Sequence, residues 1–160
     1  HMAVKFAAAM GAETYVLGHS LSKAQDAKEF GAKDYLMTTE IFETHKDFFD
    51  VILNTTSTDL DLDSLLGMLN VGGTFVTVGI SPNKQEFHAF SVVTGLRSIA
   101  GANTGSIAAT QDMLDFCGEH NIVSTIEMVD ASDPKTIDDA YARVVDSDIR
   151  YRFVIDASTI

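Results

Sequence analysis

Apolar positions along this chain fall into short runs of two alternating periods, and glycine closes most of them. Met2, Val4, Phe6, Ala9 and Met10 recur at helical spacing and stop at Gly11. Residues 13–17 then read as a strand, and residues 21–30 as a helix with Ser20 or Ser22 as N-cap and Gly31 as its stop. A short strand is predicted over 34–37, a weak helical turn over 39–45, and a strand covered on both faces over 49–53 (FDVIL). Residues 60–69 place Leu62, Leu65, Leu66 and Leu69 on one helical stripe, which Gly72 and Gly73 are expected to end. The run 74–78 (TFVTV) is a buried strand closed by Gly79.

Beyond Ser81 and Pro82 the pattern loosens. Residues 97–102 predict a strand, and 110–120 an amphipathic helix with Met113, Leu114, Phe116 and Cys117 inward. A strand at 126–129, a connector at 130–135, a helix at 136–145 and a strand at 151–155 complete the chain. Strands that alternate with helices in this way predict an α/β fold with a parallel sheet wound by helices.

Composition narrows the chemistry. A net charge of −12, from 23 acids against 11 bases, repels nucleic acid and anionic membrane. No apolar run reaches the roughly 18–20 residues of a membrane span. Nothing reads as a signal peptide, and the one cysteine, Cys117, suits a reducing cytoplasm. Cys117 and His120 share a helix face, but two ligands fall short of a structural zinc site, and His19, His45 and His88 show no ligand spacing. No serine sits in a G-x-S-x-G elbow.

Two loops are candidate ligand contacts. After the strand at 13–17, Gly18, His19 and Ser20 stand where a dinucleotide fold that takes NAD places an acid, and Lys23 follows; a 2′-phosphate fits that pattern. Asp26 and Glu29 lie further into the helix and are expected to face solvent. The second loop is 77–82, where a buried strand breaks at Gly79 and Pro82, at the strand end where open parallel sheets bind ligands.

In order and spacing, HMAVKFAAAMGAE, FGAKDY, FDVILNTTS, LLGMLNVGGTFVTVGIS, RSIAGANTGS, TQDMLDFCGEHNI and IRYRFVID together resemble the medium-chain dehydrogenase/reductase family. The resemblance is to the C-terminal half of its zinc-dependent, cinnamyl-alcohol-dehydrogenase-like branch. It implies an incomplete Rossmann-type doubly wound sheet, with residues 1–120 a partial dinucleotide-binding domain and 121–160 a return to the catalytic domain. The first strand, the glycine-rich phosphate loop and the zinc ligands would precede His1, so the chain alone is expected to be inactive. That strand would occupy the centre of a 3-2-1-4-5-6 sheet. Without it, the two half-sheets are expected to close on each other, or a second copy to pair across the gap.

By resemblance, Ser20 and Lys23 select NADP, Thr56 meets the nicotinamide ribose, and Val78, Gly79 and Ile80 hold the carboxamide. Gly101, Ala102 and Asn103 border the nicotinamide and pair subunits in a homodimer, and Arg152, or second Arg150, reaches the pyrophosphate. The implied activity is hydride transfer between NADP(H) and a small alcohol or aldehyde polarised by zinc, in a cytoplasmic dimer. A zinc-free quinone or enoyl reductase, and a non-catalytic nucleotide-binding or dimerisation module, are the alternatives.

Overall fold

The structure is a computed structural model that describes residues 1–38 and 41–160. Seven helices and seven strands are found among them, with 3₁₀ turns at Leu21–Lys23 and Ala157–Thr159. In chain order the helices are α1 (Met2–Ala9), α2 (Ala24–Glu29), α3 (Ile41–Thr44), α4 (Leu62–Gly67), α5 (Ala89–Val93), α6 (Ile107–His120) and α7 (Pro134–Val145). The strands are β1 (Tyr15–Gly18), β2 (Asp34–Met37), β3 (Phe49–Asn54), β4 (Leu69–Thr77), β5 (Ser98–Gly101), β6 (Glu127–Asp130) and β7 (Phe153–Asp156). The chain divides into two compact units. One comprises His1–Val16, Ser22–Tyr35 and Gln111–Ile160, the other Leu17–Leu21 and Leu36–Thr110.

The second unit is organised by β3–β4–β5, a three-stranded sheet with both ladders parallel. Its core is one apolar cluster of Ile41, Ile52, Leu62, Leu65, Leu66, Met68, Leu69 and Phe75. Leu62, Leu65 and Leu66 form the buried stripe of α4, but Leu69, expected as its fourth member, is the first residue of β4; Asp61 caps the helix by accepting from the Ser64 amide at 3.1 Å. Here one expectation is corrected. Gly72 and Gly73 do not end α4, which stops at Gly67; they lie inside β4. Between Phe49↔Leu69 and Val51↔Thr74 the β3–β4 register slips, and the extra residues bulge out with Gly72 at φ 79°.

β3 is also not covered on both faces. Ile52 is buried, but Val51 and Leu53 are 60% and 46% exposed, because the face that carries Ile52 is the one packed on the cluster and these two point to the other. Nor do the half-sheets close on each other: no ladder joins β1–β2 to β3–β4–β5 among the described residues. Leu17 and Leu36 pack their side chains onto the apolar cluster instead of extending its sheet.

In the first unit, α1 and α2 stop at the expected glycines, Gly11 and Gly31, both left-handed. Neither serine caps α2. A 3₁₀ turn precedes it and Lys23 is the N-cap, without a side-chain capping bond. β6 and β7 form a separate parallel pair, and Asp133 caps α7 ahead of Pro134. The inward face expected of α6 is only half realised. Phe116 and Cys117 are partly covered, whereas Met113 and Leu114 are 38% and 54% exposed. Of the turn expected at 39–45, α3 is found, and Thr39 and Glu40 lie outside the described residues.

Candidate functional site

The parallel register brings the carboxyl ends of three strands into line: Asn54 pairs with Thr77, and Thr77 with Gly101. Everything that follows these residues therefore emerges on one rim, the place where open parallel sheets bind ligands. Thr56, Val78, Gly79, Ile80, Ala102 and Asn103 all stand within three residues of a strand end on that rim.

Asn54 builds the rim. Its carbonyl accepts from the Val78 and Gly79 amides, both at 3.0 Å. Its side-chain oxygen accepts from the Thr56 amide and hydroxyl, both at 2.9 Å, while its Nδ2 donates to Thr77 Oγ1 at 3.2 Å. Thr77 in turn donates to the Gly79 carbonyl at 2.9 Å and accepts the Ala102 amide on its own carbonyl at 3.1 Å. A Cβ on Gly79 would lie 2.0 Å from the Thr56 carbonyl oxygen, so only glycine permits this approach of the two turns. Among the described residues, no partner takes the Val78 carbonyl or the Ile80 amide, and the Ile80 side chain is 82% exposed. Asn54 was not singled out by sequence, whereas Thr77 heads the loop 77–82 that was. The available signal was a polar side chain at the last position of each apolar strand, where alternation would have continued apolar.

The adjoining loop is held by Asp59, which accepts from Ser81 Oγ (2.5 Å), Asn83 Nδ2 (2.8 Å) and Gln85 Nε2 (3.2 Å). These donors, led by Ser81, hold its carboxyl below the usual range. Beside it, Asp63 accepts from Ser91 Oγ (2.5 Å), His88 Nδ1 (2.6 Å) and the His88 amide (2.9 Å). Ser91 and His88 lower the Asp63 pKa to about 2, and the carboxylate raises that of His88. Arg97, its side chain 7% exposed, ties the start of β5 to Asp47 at 2.6 Å and to the Leu69 carbonyl at 3.0 Å.

The remaining candidates are more dispersed. Ser20 is exposed in the turn after β1, next to His19, whose Nδ1 lies 3.0 Å from Thr38 Oγ1. Lys23 and Arg152 belong to the first unit. Lys23 Nζ donates to the Ser147 carbonyl at 3.4 Å and sits 5.4 Å from the centre of the Tyr151 ring. Arg152 is exposed and makes no ion pair among the described residues. Arg150, by contrast, is engaged: its guanidinium pairs with Asp26 and donates to the Ser22 carbonyl at 2.8 Å. Asp26 therefore does not face solvent as expected. Its carboxylate also accepts from Tyr151 Oη at 2.5 Å, and burial together with Asp26 raises the tyrosine pKa.

No group of three or more His, Cys, Asp or Glu side chains that could hold a metal occurs among the described residues. The His120 ring lies tilted against Phe116, 4.2 Å between centres, and Cys117 Sγ lies 3.7 Å from Met113 Sδ. Among the described residues, no helix is long and apolar enough to cross a membrane.

A family model described as zinc-binding dehydrogenase matches residues 1–119. A probable formaldehyde dehydrogenase of Bacillus subtilis is 47% identical over 162 residues, covering 100% of this chain and 46% of that protein. An NADP-dependent alcohol dehydrogenase C of Mycobacterium bovis has the same identity and the same two coverages, 100% and 46%. Among solved structures, a cinnamyl alcohol dehydrogenase from Sorghum bicolor superposes with a TM-score of 0.92 at 35% identity, over 99% of this chain and 45% of that one. A cinnamyl-alcohol-type enzyme of Helicobacter pylori, complexed with NADP(H), gives 0.84 at 34% identity, over 98% and 44%. The chain thus spans just under half the length of these relatives, and matches their C-terminal, coenzyme-binding part. It belongs to the zinc-binding dehydrogenases of the medium-chain dehydrogenase/reductase family.

Proposed function

We propose that this chain is the coenzyme-binding part of an NADP(H)-dependent alcohol dehydrogenase or aldehyde reductase. The observation that carries the reading is the rim on which Thr56 and the turn 78–80 stand side by side. The Val78 carbonyl and the Ile80 amide offer one acceptor and one donor, the complement of a carboxamide. Thr56 Oγ1 donates its proton to Asn54, which leaves an oxygen lone pair for a ribose hydroxyl. Ala102 and Asn103, exposed beside them, border the same rim. Asn54 and Thr77 fix these groups in advance, so a bound ring is oriented without reordering the loops. The coenzyme would supply the hydride, and the residues named here would hold its ring toward the carbonyl carbon of an aldehyde.

The choice of NADP over NAD rests on Ser20 and Lys23, with Lys23 the local cation in a chain of net charge −12. Arg152, exposed and without an ion pair among the described residues, is the less engaged of the two arginines and the one assigned here to a pyrophosphate. Residues 121–160 would belong with the catalytic domain, and the open edge of β5, exposed along its length, would pair two subunits. Zinc does not fit the residues described, so zinc dependence rests on the family and no step is drawn through it. A cytoplasmic setting agrees with the lone thiol.

Titrating NADPH into the isotopically labelled chain tests the reading. The amides of Thr56, Gly79 and Ile80 are expected to shift together, and Gly79→Ala to abolish their response. Binding that leaves these amides unmoved would overturn it.

A further inference from the structure

The contacts of Arg150 form a tie that no role assigned above uses. Its planar guanidinium reaches two parts of the first unit at once. One nitrogen pairs with the Asp26 carboxylate in the first turn of α2, and another donates to the Ser22 carbonyl in the 3₁₀ turn before it, at 2.8 Å. Its own amide donates to Glu127 Oε1 at 2.7 Å, which fixes the base of the side chain to β6. Tyr151 completes the arrangement. Its hydroxyl donates to the same Asp26 oxygen at 2.5 Å, and its ring lies under the Lys23 ammonium at 5.4 Å.

Two physical points follow. The Arg150 charge is already matched by Asp26, whose side chain is only 23% exposed, so Arg150 is poorly placed to serve as a free cation for a phosphate. Its fork instead immobilises the turn Leu21–Lys23 from outside, through a main-chain carbonyl and a carboxylate that a single ammonium could not span together. Lys23 is the last residue of that turn. The tie fixes the backbone from which the Lys23 stem starts, while the Ser147 carbonyl accepts from the ammonium at 3.4 Å, so less freedom is given up on binding.

We propose that Arg150 is a positioning residue for coenzyme selection: it ties the turn Leu21–Lys23 to Asp26, so that Lys23 meets an adenosine 2′-phosphate in one preset place. The proposal rests on the reading of Lys23 as the NADP-selecting cation. Asp26 and Tyr151 are the other members of the tie, and Arg150 makes no contact with the ligand.

The test compares 2′,5′-ADP with 5′-AMP, titrated separately into the isotopically labelled 160-residue chain and followed at the Lys23 amide. Wild type is expected to prefer the 2′-phosphorylated ligand. In Arg150→Gln the ratio of the two affinities falls about tenfold, the size of one charge-assisted contact, with AMP affinity unchanged. Arg150→Lys keeps the charge and does not restore the ratio. Tyr151→Phe keeps the ring under Lys23, loses the bond to Asp26 and lowers the ratio about two- to threefold; it carries the test if Arg150→Gln does not fold. A parallel loss of both ligands would show that Arg150 touches their shared part or only holds the fold, and overturns the proposal. So does an unchanged ratio. A wild-type chain without preference overturns the NADP reading itself, whatever Arg150 does.

Discussion

The two compact units are held together by different physics. In the unit around β3–β4–β5, eight buried apolar side chains form one cluster, and Leu66, Met68 and Leu69 are fully shielded from water. In the other, only Ala27, Ala32 and Val129 are buried, and α1, α6 and α7 bury no residue at all. Its contacts are polar and aromatic. Lys5 donates to the Val123 carbonyl at 2.7 Å and lies over the Phe30 ring, Arg143 pairs with Glu127 at 2.9 Å, and Asp26 gathers Arg150 and Tyr151. Exposed ion pairs contribute little net stability each, whereas a buried leucine contributes a great deal. The second unit should therefore set the stability of the chain, and the first should set the placement of charged groups.

The hardest blow to that contrast is Leu66→Ala. Truncating a side chain with 0% exposure inside the cluster is expected to cost about 2–5 kcal/mol. Leu114→Ala, in α6 and 54% exposed, should change stability by no more than about 0.5 kcal/mol. Urea denaturation of both variants measures the difference. Similar losses would show that α6 carries packing energy its exposure does not reveal.

Glycines give the second comparison. Gly79→Ala drives a Cβ onto the Thr56 carbonyl and should cost about 1–3 kcal/mol. Gly118→Ala, in the last turn of α6 with nothing within 4 Å of the added carbon, should instead stabilise by about 0.5 kcal/mol, the lower end of glycine's helical penalty. Opposite signs in thermal melts are the expected result, and a neutral Gly79→Ala would mean that the two turns are free to separate.

Where the sequence was legible follows from the same contrast. Leu62, Leu65 and Leu66 of α4, the second half of β4 and the strand ends that carry Thr56 and Gly79 were readable because burial enforces periodicity, and a parallel register then fixes which ends align. Gly72, followed by Gly73, misled because a bulge and a helix stop ask the same left-handed freedom of the backbone, which Gly72 supplies. FDVIL announced burial on two faces, but periodicity reports what a strand is suited to, and the one ladder and one packed face it has here are tertiary facts. In the first unit, nothing in local spacing shows that Arg150 reaches back 124 residues to Asp26. Ion pairs between distant segments leave no periodic trace, which is why Asp26 reads as solvent-facing on its helix.

The smallest expected effect probes the His88–Asp63 ion pair of the second unit. Asp63 has its folded pKa lowered to about 2 from 3.8, so its contribution is present above 3.8 and lost as pH falls through about 2. His88 has its pKa raised from 6.5, so its contribution is full below 6.5 and fades as pH rises through the higher folded value. Both are in place between those limits, and α5 should be held most firmly there, since the His88 amide, its ring and Ser91 all converge on Asp63 at the start of that helix. The imidazole is 86% exposed, so solvent screens the pair and the stability change is slight. A ring-carbon NMR titration is more sensitive than melting. His88 is expected to titrate above 6.5 in the wild type and to return toward that value in Asp63→Asn. The amide bond from His88 to Asp63 does not titrate, so α5 should stay formed at pH 9 with its first turn less protected from hydrogen exchange. If His88 titrates alike in both proteins, the carboxylate is not its partner in solution. The second unit would then owe nothing to this pair, which widens the difference between the two units.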